Sequence, residues 1–407
     1  MQQKSSAKLE GNLWKIAVAE ILFNSWLISA IYILFFLFLG YSFADIGLFE
    51  AITSIVIVIT DLPTGALADS IGRKWAVFIA NFFMLLMVLL LGFSTGGLIV
   101  IIMAGALNGL EFSFKSGANT ALLYDTLKQL GKEEEFLRIS GRINAAALIA
   151  RLIGLITGAY LFAIDERFPY WTWAILILSS LFFLSIIQEP VKTSHKLTIK
   201  HLMEDMGDSL KFIFEKKILL WMILFFLVVD VFAESYWDVY SQAHLKSLGA
   251  EIAILGIIFA VLAGIGAIAS YYADDLEKKF GEQRSLYGLI FLQSCVFILM
   301  ATINNWIWLI LCLILFTSIR EYGFLLYDNY FNKYVPSENR ASILSARSVL
   351  YNGLFGGGII IWFFGFSIDS FGRQTTLISS GILVLLIGLF LLQIRYFSHI
   401  NETSGNS

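Results

Sequence analysis

Charge is scarce in this chain of 407 residues: Asp, Glu, Lys and Arg make up 14% of it, against 58% hydrophobic residues. Soluble domains carry about a quarter charged residues. A chain with a mean hydropathy of +0.78 has too little polar surface to face water on every side, and it requires lipid as its solvent. Cysteine is nearly absent. Cys295 and Cys312 lie inside apolar runs without CxxC spacing or a histidine partner, and they read as small packing residues. The four histidines, His195, His201, His244 and His399, sit in loops or near the ends of apolar runs. No Ser/His/Asp set, metal-ligand cluster or P-loop pattern occurs, so an enzyme, a metal site, a cofactor and ATP-driven transport are not expected. The net charge of −3 gives no reason to expect a nucleic-acid partner. The N-terminal MQQKSSAKLEGNLWK has positive charge but no short apolar run ending in a cleavage site, so no removable signal peptide is expected.

What the chain does have is long apolar runs. A bilayer core of about 30 Å needs about 20 helical residues. Twelve runs reach that length, at approximately 13–40, 45–68, 74–94, 97–127, 139–163, 169–188, 217–244, 251–275, 285–303, 305–334, 341–367 and 375–396. Ten-residue alternating stretches are not seen, so the spans are expected to be helices rather than barrel strands. Twenty Lys and Arg residues fall on one side of the spans, including Lys192 and Lys196. The other side has three, Arg167, Lys246 and Arg373. The positive-inside rule then places both termini in the cytoplasm, in a multi-pass protein of the cell (inner) membrane.

One long loop divides the spans six and six. The expected domains are an N-terminal six-helix bundle at 1–189, a cytoplasmic linker at 190–216 and a C-terminal bundle at 217–407. Within the linker, Leu202, Met203, Met206, Leu210, Ile213 and Phe214 recur at helical spacing, the pattern of an amphipathic helix on the inner membrane surface.

The halves repeat one another. LLYD ends span 4 at Leu122–Asp125 and recurs in span 10 at Leu325–Asp328. Ser140-Gly141-Arg142 opens span 5, and Ser345-Ala346-Arg347 opens span 11. Ala68-Asp69 ends span 2, and Ala273-Asp274 ends span 8. Glu20 and Asn24 of span 1 answer Asp230 and Glu234 of span 7. These pairs share nearly one offset and match in span number, as two six-span repeats would.

The stretch Gly65-Ala-Leu-Ala-Asp69-Ser-Ile-Gly72-Arg73-Lys74, between spans 2 and 3, resembles the signature loop of the major facilitator superfamily, Gly-x-Leu-Ala-Asp-Arg-x-Gly-Arg-Lys. Only Ser70 departs from it. With twelve spans split six and six, the resemblance covers essentially the whole chain. It implies an all-α integral membrane protein with twelve transmembrane helices in two pseudo-symmetric six-helix bundles, working by alternating access. It also implies a cytoplasmic gate at Gly65, Asp69, Gly72, Arg73 and Asp125, in which the Arg73 fork reaches Asp69 and Asp125. Drug–proton antiporters of the family carry an Arg in span 4 and a Gly-Pro-Gly-Gly-like run in span 5. Here span 4 has Lys115, and span 5 has Gly154 and Gly158 with Arg151 but no proline, so only GxxxG-like close packing remains.

Charges within spans mark pathways or ion relays. They fall on Glu20, on Glu111 and Lys115, on Arg151, on Asp230 and Glu234, and on Arg320 and Glu321, whereas the centres of spans 3, 6, 9 and 12 carry none. At about 1.5 Å per residue, Asp230 and Arg320 lie roughly 20 Å into the membrane. Asp230, Glu234 and Asp238 form an acidic stripe, and Glu111 and Lys115 share a helix face. Three roles compete for these groups: structural pairs, contacts to a charged substrate, or proton carriers. Burial favours the last for a carboxylate. Asp230, Glu111 and Glu234 are the proton-coupling candidates. Glu20, Asn24, Lys115, Arg151, Arg320 and Glu321 are candidates for the substrate cavity, with Trp26, Trp237 and Tyr240 as an aromatic wall. The reading that follows is proton-coupled efflux of an amphipathic or hydrophobic small molecule by a monomer. Uptake or facilitated diffusion of a polar metabolite, and a non-transporting receptor or assembly factor, are the alternatives.

Overall fold

The computed structural model describes residues 2–190, 199–336, 340–354 and 357–404, and among these every regular element is helical. Lys192 and Lys196 of the charge reading lie outside the described residues. In the first half the helices are α1 (Gln2–Phe23), α2 (Tyr32–Phe38), α3 (Phe43–Ile71), α4 (Arg73–Phe93), α5 (Leu98–Lys115), α6 (Ala118–Gln129), α7 (Phe136–Ile164) and α8 (Phe168–Ser185). Then come α9 (Ile199–Glu215), α10 (Lys217–Val239), α11 (Ser241–Ser247), α12 (Ile252–Tyr271), α13 (Ala273–Thr302), α14 (Trp306–Tyr334), α15 (Arg340–Ser348), a π-helical turn at Val349–Leu354 and α16 (Gly357–Ser404). α9 falls where the amphipathic helix is expected, with Ile213 and Met206 buried and Met203 and Phe214 exposed.

Among the described residues, ten helices are long and apolar enough to cross a membrane. Four of the expected spans need correction. Span 4 divides into α5 and α6 at Ser116–Gly117, and the helix of span 7 ends at Val239, with α11 a separate short helix. Span 1 is not one helix, because it breaks between α1 and α2. Span 11 is not one either: it begins as α15, passes through the π turn and enters α16, which continues into span 12 across a bend at Gly372 (φ 79°).

The chain forms two compact units: Met1–Tyr41, Ile52–Met203 and Glu251–Ile257 in the first, and Ser42–Ala51, Glu204–Ala250 and Ile258–Ser407 in the second. In the first, α4 packs on α5 and α8, and α1 packs on α7 and α8. Ala76, Val77 and Ala80 of α4 meet Ala118 and Leu122 of α6 and Ala19 of α1 in its core. Small residues at these contacts let the helix backbones approach closely.

The break in span 1 has a visible cause in α7. A Cβ on Gly154 would lie 1.4 Å from the carbonyl oxygen of Ser25, and one on Gly158 would lie 1.7 Å from that of Leu27. The unwound backbone is pressed directly onto the glycine face, and Trp26 takes φ 30°, an outlying conformation for a bulky side chain. Side chains add hydrogen bonds to carbonyls in the last turn of α1. The Trp173 indole N–H donates to Phe23 O (3.1 Å), the Ser180 hydroxyl to Ala19 O (2.8 Å) and the Asn24 amide to Glu20 O (2.8 Å). The expected GxxxG-like packing is therefore present, and its partner is an unwound segment rather than a helix.

In the second unit, α10 packs on α14 and α16, and α13 packs on both as well. The start of α3 is capped by Ser42, whose hydroxyl accepts from Asp45 N–H (3.1 Å), and Asp45 accepts in return from Ser42 N–H (2.9 Å). Asp369 of α16 accepts from Ala44 N–H at 2.7 Å, a carboxylate at the positive end of a helix.

The glycine face is testable. Gly154→Ala should destabilise the protein by about 1–3 kcal/mol, as overpacking against fixed backbone does. Gly141→Ala, on the same helix with nothing within 4 Å, should leave the melting temperature unchanged. Thermal melts of the two variants in detergent check this, and equal melting temperatures would refute the packing argument.

Candidate functional site

Each unit gathers its own set of interior polar groups. In the first, Glu111 of α5 is 2% exposed, and the Lys115 ammonium lies 3.9 Å from its carboxylate, one helical turn away. The same ammonium sits 3.2 Å from the Phe23 ring centroid. Glu20, 8% exposed, is within electrostatic reach of Glu111 and accepts from the Asn24 amide at 3.0 Å. Glu20, Asn24, Glu111 and Lys115 thus gather at the end of α1. Arg151 of α7 stacks over Trp26 at 4.5 Å, so both belong to the same glycine-faced junction.

In the second unit, the Arg320 guanidinium of α14 lies 3.8 Å from Asp230 of α10, with the two side chains 28% and 32% exposed. Tyr351 donates its hydroxyl to the other Asp230 oxygen at 2.9 Å. Tyr351 stands in the π-helical turn, and such a turn redirects side chains at functional positions. Arg320 is also within electrostatic reach of Glu234, Asp238 and Glu321. Trp237 packs edge-on to Phe259 (5.3 Å), and the buried Tyr240 packs against Phe43 (5.0 Å) and His244, so both serve local aromatic packing.

Three residues escaped the sequence reading. Glu50 of α3 lies within reach of Glu234 and Asp238, so span 2 belongs among the spans with interior charge. A lone glutamate in an apolar run was the available signal. Tyr351 and Gln293 carry no charge, and no periodicity marks them. Gln293, on α13, is 0% exposed, and among the described residues neither its amide nitrogen nor its oxygen has a partner. It lines a small, partly open recess together with Phe226, Asp230, Arg320, Gly323 and Tyr327.

At the signature loop, Gly72 takes φ 111°, and a Cβ there would lie 2.6 Å from the Glu189 carboxylate. That carboxylate accepts from the Lys74 N–H (3.3 Å) at the start of α4, where the helix dipole favours an anion. Lys74 is buried, donating to Ser185 O at 2.8 Å, and Lys15 donates to Ile186 O at 3.0 Å. These two ammonium groups satisfy carbonyls at the end of α8. Gly65 is half-buried with open space around its Cα. The Asp69 side chain lies outside the described residues. Arg73 and Asp125 are both half-buried, and among the described residues no ion pair joins them. In the second LLYD, Asp328 pairs with Arg347 at 2.8 Å, and Arg347 stacks over Tyr327 and Phe331. The two motifs repeated in the sequence, LLYD and Ser-x-Arg, are the two partners of this one bond.

The model of the Major Facilitator Superfamily matches residues 16–360. The chain belongs to the major facilitator superfamily. Within the superfamily, it is 24% identical over 368 residues to the MFS-type transporter YxaM of Bacillus subtilis (strain 168), covering 88% of this chain and 89% of the relative. Among solved structures, the nucleoside transporter NupG superposes with a TM-score of 0.75 at 15% identity, covering 96% of this chain and 98% of that one. A D-xylose–proton symporter gives a TM-score of 0.68 at 14% identity, covering 93% and 96%. These likenesses show the fold. The chain is a multi-pass membrane transporter of this superfamily, as its signature loop implied.

The repeat-derived ion pair gives a second prediction. Asp328→Asn and Arg347→Gln should each lower stability by about 1 kcal/mol, and the double variant should cost no more than the worse single one. A thermodynamic cycle from detergent melts measures this, and additive losses would show that the pair is not coupled.

Proposed function

We propose that the chain is a proton-coupled secondary transporter that exports amphipathic small molecules by alternating access, and that cationic members of that class are its preferred cargo. The observation that carries this reading is the charge balance of the second unit. Asp230, Glu234, Asp238 and Glu50 gather near a single guanidinium, Arg320. Such a set has more negative than positive charge, and a cation or a proton neutralises it equally well. Competition of the two for the same carboxylates is the physical basis of exchange. Asp230 is the leading proton carrier, because a proton on it weakens the bond to Arg320 and turns Tyr351 towards a new acceptor. Glu234 is next to it. In the first unit Glu111 plays the corresponding part against Lys115, with Glu20 and Asn24 beside it.

In this reading 1–189 and 217–407 are the two moving bundles and 190–216 tethers them. Both termini face the cytoplasm of a cell-membrane protein that works as a monomer. Gly65, Asp69, Gly72, Arg73 and Asp125 form the cytoplasmic gate. Gly72 supports that role, since only a residue without Cβ admits the Glu189 carboxylate beside it. Asp69→Asn should impair transport severalfold at unchanged expression, and full transport would remove the gate.

A second reading, proton-driven uptake of a polar metabolite, draws on the mixed signs of the first unit, where Glu111 and Glu20 lie near Lys115. One experiment separates the two. Tetraphenylphosphonium is added to purified protein in weakly buffered detergent while proton release and binding are followed. Export predicts proton release on binding, and an affinity that rises up to about tenfold per pH unit while one proton is displaced. Asp230→Asn should reduce the release. Binding with no release, or unchanged release in Asp230→Asn, would overturn the assignment of Asp230.

A further inference from the structure

The recess in the second unit has a mouth and a floor of different chemistry. At the mouth, Asp230 and Arg320 are each about a third exposed and pair at 3.8 Å. At the floor, Gln293 is fully buried, and among the described residues neither end of its amide has a partner. Phe226 and Tyr327, stacked with centroids 4.7 Å apart, form an aromatic wall of the recess. α10, α13 and α14 pack pairwise around this space. Span 9 therefore contributes an inward-facing polar group, although its centre carries no charge.

A buried carboxamide without partners costs about 1–3 kcal/mol for each polar end left unpaired. It presents one donor and one acceptor side by side. The group that satisfies both has an acceptor beside a donor in the reverse order. A charged group is disfavoured at the floor, because Gln293 supplies no counter-charge to it.

We propose that this recess is a substrate subsite that takes an uncharged polar end group carrying an adjacent donor and acceptor, such as a carboxamide, lactam or urea, attached to a flat apolar body that lies along Phe226 and Tyr327. The inference rests on the reading of Asp230 and Arg320 as part of the transport cavity. It assigns the cargo two ends: a cationic part held by the carboxylates around Glu234, and a neutral amide-like part held by Gln293.

The test uses purified full-length protein in detergent with four simple probes: benzamide, acetophenone, benzoate and benzamidine. Binding is read as saturable thermal stabilisation and confirmed by calorimetry. Benzamide offers both a donor and an acceptor, and acetophenone has nearly the same shape without the donor. The subsite predicts that benzamide binds wild-type protein at least about tenfold more tightly than acetophenone or benzoate, the equivalent of one lost hydrogen bond at a buried site. In Gln293→Met, which keeps length and removes both polar ends, that preference should vanish. Benzamidine tests the neutral-group claim: its preference over benzamide would assign the recess to cations instead and overturn the proposal. So would equal binding of benzamide and acetophenone, no benzamide binding, or an unchanged preference in Gln293→Met. If Gln293→Met does not fold, the comparison of probes on wild-type protein decides alone. Because benzamide is uncharged, its binding reports the subsite independently of proton release. Loss of proton coupling with retained benzamide preference would refute the coupling and leave the subsite standing.

Discussion

The contact of the unwound Ser25–Leu27 backbone with the glycine face of α7 is the constraint on which the first unit depends. In hydrocarbon, every backbone group that leaves a helix must find a partner within the protein. Here Trp173, Ser180 and Asn24 donate to carbonyls in the last turn of α1, and Gly154 and Gly158 allow the bare backbone to sit where a helix with side chains would not fit. The same junction places Trp26 under Arg151, just beyond the Glu20 that lies within reach of Glu111.

The second unit solves the analogous problem differently. Its interruption is the π-helical turn at Val349–Leu354, and this turn delivers the Tyr351 hydroxyl to Asp230. Asp230 is thereby held from two sides, by a cation and by a neutral donor. An ion pair inside a membrane protein is a costly element unless its remaining hydrogen-bonding capacity is met. Asp230 meets it with Tyr351. The carboxylates around Arg320 outnumber it and leave an excess of negative charge. Among the described residues, Gln293 has no such partner.

Parts of this arrangement were legible in the chain and parts were not. The signature loop was readable because glycine at 72 is demanded by backbone geometry, and such a demand leaves its mark at one position. Its actual neighbour, Glu189, was not readable, since it lies more than a hundred residues away at the end of another helix. The LLYD and Ser-x-Arg repeats were visible as repeats, yet their meeting as Asp328 and Arg347 emerged only from the packing of α14 against the segment that follows. The break in span 1 left no proline or glycine signal at the broken positions themselves, whereas the turn in span 11 contains Gly353. For span 1 the cause is on α7, the partner helix.

By itself the sequence determined the lipid solvent, the family and the presence of charges within apolar spans. These follow from composition, run length and local motif, properties that each segment carries alone. The tertiary structure decided which of those charges meet, where helices stop, and that an uncharged glutamine on span 9 completes a recess beside Asp230. Those outcomes depend on backbone approach distances and on unsatisfied hydrogen bonds. Both are properties of pairs of segments, and a single segment does not encode them.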